Sequence, residues 1–104
     1  MYNHMRIIAL DFDGTLVYNQ WPEIGPTRED ILAAAIQAQQ NGAKIILWTC
    51  RIGKPLNDAI AWCEDHGLRL DAVNDNLPEL VIKYGSNPRK ITATEYWDDR
   101  AIKC

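Results

Sequence analysis

The sequence predicts an α/β fold in a single domain spanning residues 1–104, built on a small, mainly parallel sheet. Three observations lead there. Short apolar runs occur where strands buried on both faces are expected. Segments with helical apolar spacing lie between those runs. Each run also ends abruptly in a polar residue. Strands alternating with helices imply crossover connections and parallel pairing. In such sheets ligands gather beyond the carboxyl ends of the strands, so the residues that end the strands are the informative ones.

Ile7-Ile8-Ala9-Leu10 is continuously apolar and reads as a buried strand. Residues 14–26 hold two glycines, two prolines and Trp21, and read as a loop or short hairpin. Thr27 and Asp30 have the spacing of a capping box, and Ile31, Leu32, Ala35 and Ile36 behind them share one helical face. Asn41-Gly42 stops that helix. Residues 43–48 form a second buried strand that ends at Thr49. Lys54-Pro55 opens a second helix, since proline is tolerated in a first turn. Leu56, Ala59, Ile60 and Cys63 form its apolar stripe, and His66-Gly67 closes it. Residues 70–74 suggest a short third strand, and 76–88 a loop with a turn or two of helix. Residues 94–97 then lead as a strand into Asp98-Asp99. Asp11, Thr49, Asn74 and Asp98-Asp99 are thus expected on one rim.

The chain has 104 residues, of which 47% are apolar and 24% charged, as expected of a globular protein with a modest core. A formal net charge of −3 argues against a general nucleic-acid or anionic-membrane surface. It leaves room for a local phosphate site, because a bound cation reverses the potential within a cleft. Cys50, Cys63 and Cys104 form no C-x-x-C pair and no even-numbered framework, so free thiols in a reducing cytoplasm are expected. The apolar run before Asp11 is too short for a signal-peptide core or a membrane span.

The densest chemistry is Asp11-Phe12-Asp13-Gly14-Thr15. Residues i and i+2 of an extended chain share a side, so Asp11 and Asp13 face together while Phe12 turns towards the core. Two carboxylates this close repel unless a cation or a shared proton lies between them. Gly14 lets the chain turn sharply at the strand end.

The run Asp11-Phe12-Asp13-Gly14-Thr15-Leu16 resembles the first motif of the haloacid dehalogenase-like (HAD) superfamily. Thr49, in Leu47-Trp48-Thr49-Cys50-Arg51, resembles the second, Lys90 the third and Asp98-Asp99 the acidic fourth, all in the family's order. The resemblance implies a three-layer Rossmann-like HAD core and a phosphate monoester hydrolase, a phosphatase. Asp11 would be its nucleophile, forming an aspartyl-phosphate intermediate, and Asp13 its general acid and then base. Thr49 and Lys90 would hold the phosphoryl oxygens, with Lys83 a rival for the lysine role, and backbone N–H groups after Asp11 and Thr49 would assist. The implied cofactor is Mg²⁺, a hard cation that takes oxygen ligands and keeps some waters. Asp11 would ligate it by side chain, Asp13 by its backbone carbonyl, and one of Asp98 and Asp99 by side chain. Relatives with Gly-Asp at this point place the ligand second, which favours Asp99; Asp98 would then bind through water or orient Lys90.

Residues 16–26 and 75–89 are too short to hold an inserted domain, so the chain resembles the capless branch of that family. An open site suits a large phosphorylated substrate, or closure by a second copy in a homo-oligomer. A receiver domain also combines acidic residues, Thr, Lys and Mg²⁺, but its phosphoacceptor lies mid-chain. A non-catalytic binding or regulatory protein, or a phosphotransferase of the same fold, is the alternative. Arg51 and Asn74 rank second on the rim. Trp21 could touch a substrate, while His4 and His66 look peripheral.

Overall fold

The computed structural model describes residues 6–75, 77 and 93–98. Eight elements follow in order: β1 (Ile7–Leu10), β2 (Val17–Gln20), β3 (Glu23–Thr27), α1 (Glu29–Gln40), β4 (Lys44–Leu47), α2 (Gly53–Asp65), β5 (Ala72–Val73) and β6 (Glu95–Trp97). Four strands form a parallel sheet in the order β5-β4-β1-β6, and β2 and β3 form an antiparallel hairpin. The expected loop or short hairpin is therefore a hairpin, with a two-residue tip at Trp21 and Pro22.

Alternation in the inner strands sorts two clusters. Ile8 and Leu10 of β1 join Ile45 and Leu47 of β4 on one face, where Leu32, Ala35 and Ala38 of α1 and Ala59 and Cys63 of α2 cover them. Ile7, Ala9 and Ile46 face the other way, into a smaller cluster with Leu77, Trp48, Ala72 and Ala93. Among the described residues both helices thus serve one face of the sheet. Neither helix is long and apolar enough to cross a membrane.

Both helices end as the Asn-Gly and His-Gly pairs predict. Gly42 and Gly67 take φ of 101° and 82°, which a side chain would strain. Each sets up the same pair of closing bonds: Gly42 N–H to Gln39 O and Ala43 N–H to Ala38 O in α1, Gly67 N–H to Glu64 O and Leu68 N–H to Cys63 O in α2.

The capping box is a correction. Thr27 is the last residue of β3, paired with Val17, and the helix is capped from Arg28 without a side-chain hydrogen bond. Hairpin pairing holds Thr27 extended, and Arg28 N–H donates to Leu16 O at 2.8 Å, so the helix starts beyond the sequence signal. A second correction concerns the thiols: Cys63 is free and buried, but Cys50 is disulfide-bonded.

Strand β6, at the edge of the sheet among the described residues, is fastened to β1 beyond the ladder itself. Thr94 Oγ1 accepts Ile7 N–H and donates to Ile7 O, both at 2.9 Å. Arg6 Nη2 donates to Glu95 at 3.0 Å. Hydrogen bonds from Arg6, and next from Trp97, hold the Glu95 carboxyl below its usual range.

Candidate active site

The carboxyl ends of the four sheet strands are laced together one residue past the sheet. Asp11 N–H donates to Trp97 O at 2.9 Å, Trp48 N–H to Leu10 O at 2.9 Å, and Asn74 N–H to Leu47 O at 2.7 Å. This brings Asp11, Thr49, Asn74 and Asp98 to one rim, as the strand pattern predicts. Leu10 pairs with Trp97, so Asp98 follows β6 at the level where Asp11 follows β1, on strands about 4.8 Å apart. Lys90, its rival Lys83, and Asp99 lie outside the described residues.

Past Asp11 the chain folds into a tight loop. Thr15, Leu16 and Val17 all direct their N–H groups at Phe12 O (3.0–3.3 Å), and Gly14 sits at φ 86° with its N–H on Val17 O at 2.8 Å. Phe12 is fully buried, as alternation requires, which leaves Asp11 and Asp13 half-buried at the rim. Asp11 Oδ1 accepts the N–H of Phe12 at 2.8 Å, so the amide after the candidate nucleophile is turned onto the nucleophile's own side chain. Thr15 Oγ1 is buried without a hydrogen-bond partner, an orphaned oxygen beside the acidic pair.

Thr49 is 4% exposed. Its N–H donates to Asn74 Oδ1 at 2.7 Å, and its hydroxyl oxygen accepts Arg51 N–H at 3.2 Å. The latter contact uses a lone pair and leaves the hydroxyl proton for an acceptor such as a phosphoryl oxygen. Asn74 adopts φ 52°, a conformation that asparagine tolerates better than most residues.

The residue that sequence reasoning ranked too low is Arg51, which is 1% exposed. Its fork grips Asp13 twice, Nε to Oδ2 at 2.8 Å and Nη2 to Oδ1 at 2.7 Å. The remaining donors go to backbone carbonyls: Nη2 to Glu23 O at 3.0 Å, and Nη1 to Pro22 O at 3.2 Å and Pro55 O at 3.3 Å. The guanidinium carbon lies 5.0 Å from the Phe12 ring centre and 5.1 Å from that of Trp21. One arginine therefore joins the acidic loop, the hairpin tip and the first turn of α2. The only sequence signal was its place two residues after a strand-ending threonine.

Among the described residues no three His, Cys, Asp or Glu side chains group as a metal site. The donors that the rim does offer are the carboxylates of Asp11 and Asp98 and the carbonyl of Asp13, whose side chain is committed to Arg51. That all-oxygen set fits Mg²⁺, which binds through one or two carboxylates and keeps several waters. His66 stacks on Trp62 with ring centres 3.9 Å apart and stays peripheral, as expected.

The sequence matches no protein-family model and no curated protein. Among solved structures it is similar to a conserved protein from Bacteroides thetaiotaomicron, with a TM-score of 0.83 and 35% identity. The match covers 95% of this chain and 79% of that one. At that identity over nearly its whole length, the chain belongs to the same family as that conserved Bacteroides protein.

Proposed function

We propose that this protein is a Mg²⁺-dependent phosphate monoester hydrolase of HAD type, with a capless three-layer Rossmann-like core, acting through an aspartyl-phosphate intermediate on Asp11. The observation that carries the reading is the Asp-Phe-Asp-Gly-Thr loop at the carboxyl end of inner strand β1, flanked by Thr49 beyond β4 and Asp98 beyond β6.

An Asp11 oxygen attacks phosphorus and the bond to the leaving oxygen breaks, with Asp13 giving that oxygen a proton. A water then attacks phosphorus and Asp13 takes its proton. The bond from phosphorus to Asp11 breaks and phosphate departs. Thr49 donates its hydroxyl to a non-reacting phosphoryl oxygen, a role shared with Lys90. Mg²⁺, held by Asp11, the Asp13 carbonyl and Asp98 or Asp99, would offset phosphoryl charge as the carboxylate approaches.

The substrate is a phosphorylated molecule admitted to an open rim, with a homo-oligomer as one way to close it. A cytoplasmic location is the one expected from the sequence. Asp13 held by Arg51 would equally suit a non-catalytic binding protein that keeps the loop as scaffold. The assay that decides is phosphate release from an aryl phosphate and a metabolite panel, with and without Mg²⁺. Metal-dependent turnover is expected, abolished in Asp11→Asn and lowered about 10²–10⁴-fold in Asp13→Asn. Mg²⁺ binding without turnover across the panel selects the binding-protein reading.

A further inference from the structure

The geometry points to Arg51 as the positioning residue of the acid–base step, a fixed post that orients the Asp13 carboxyl group and ties its place to the hairpin tip. This rests on the hydrolase reading and adds a residue to it. An arginine has five N–H donors, and all five are engaged here. The three that go to Pro22 O, Glu23 O and Pro55 O do not depend on Asp13. The guanidinium is therefore held in place by the backbone independently of Asp13.

The two parallel bonds to Asp13 fix the plane of its carboxyl group, which one bond would leave free to rotate. Each carboxylate oxygen has two lone pairs, and the fork occupies one on each. Proton exchange with a leaving oxygen or a water can use another without breaking the fork. Rings of Phe12 and Trp21 near the guanidinium, together with its burial, restrict water's competition for these bonds. Lysine could supply the charge here but not the plane. Trp21 itself is 54% exposed, so the tip that Arg51 anchors is also a surface a substrate can meet.

A general acid matters most when the leaving oxygen is basic, and that separates positioning from scaffolding. The experiment compares wild type, Arg51→Lys and Asp13→Asn on an alkyl phosphate and on 4-nitrophenyl phosphate, with Mg²⁺, at one pH. Positioning predicts that Arg51→Lys loses about 10²-fold on the alkyl ester and under about tenfold on the nitrophenyl ester, as Asp13→Asn does, in kcat/KM, which reads only the steps up to departure of the leaving oxygen and not the later phosphate release. Equal losses on both esters overturn the proposal and leave the hydrolase reading standing. A wild type silent on every ester overturns both.

Should Arg51→Lys fail to fold, the wild-type protein carries the test by NMR. The Arg51 Nε–H, buried and bonded to Asp13, is expected to give a resolved resonance that exchanges with water at least about 10²-fold more slowly than in free arginine. An Nε–H that exchanges as fast as in free arginine overturns the proposal.

Discussion

Arg51 and Cys63 are both buried, and the surroundings of each decide what it can do. A guanidinium removed from water costs several kcal/mol unless its charge and all its protons are matched, and Asp13 with three carbonyls supplies that match. Cys63 has no such partner: burial, and secondarily the charge of Glu64, push its thiol up from 9.0 to about 12. A neutral thiol is a poor nucleophile, so iodoacetamide at pH 8 is expected to spare Cys63 in the folded protein and to modify it after denaturation. The sign for stability follows from the same shift. Unfolded Cys63 ionises near 9.0 and the folded thiol near about 12, so its contribution is complete below pH 9 and is lost as pH rises through that interval. Denaturation midpoints between pH 8 and 11 should therefore fall less steeply in Cys63→Ala than in wild type.

Within elements, the hairpin carries the most specific packing demand. A β-carbon on Gly25 would stand 2.0 Å from Tyr18 O, a backbone atom that cannot step aside. Val17 pairs with Thr27 and Asn19 with Ile24, and the irregularity between them leaves Tyr18 opposite this close approach. Gly25→Ala is expected to cost about 1–3 kcal/mol in chemical denaturation. Phosphate release should fall with it, because the displaced strand carries the Glu23 carbonyl that Arg51 grips. Helix ends were legible from Asn41-Gly42 and His66-Gly67, since backbone closure at such pairs is a local matter. The start of α1 was not, because Thr27 is claimed by pairing with Val17, ten positions earlier in the chain.

For the whole molecule, the sheet order brings distant strand ends together, and that part of the site could be read from sequence. Apolar runs ending in Asp11 and Thr49 foretold a shared rim, because parallel strands in one sheet point their carboxyl ends the same way. The partner of Asp13 could not be read. It lies 38 positions away, and nothing in the residues around Arg51 marks it as buried rather than solvated. The order β5-β4-β1-β6, which puts Asp98 beside Asp11, likewise emerges only from pairing between β1 and β6 across the length of the chain. The central claim is that Asp11 carries the phosphoryl group, and trapping that group tests it most directly. Rapid acid quench of Asp13→Asn with Mg²⁺ and 4-nitrophenyl phosphate, followed by peptide mass spectrometry, should show one added phosphoryl group on Asp11, released by hydroxylamine as an acyl phosphate is. A phosphoryl group on another residue, or Asp11→Asn turning over as fast as wild type, would contradict the account.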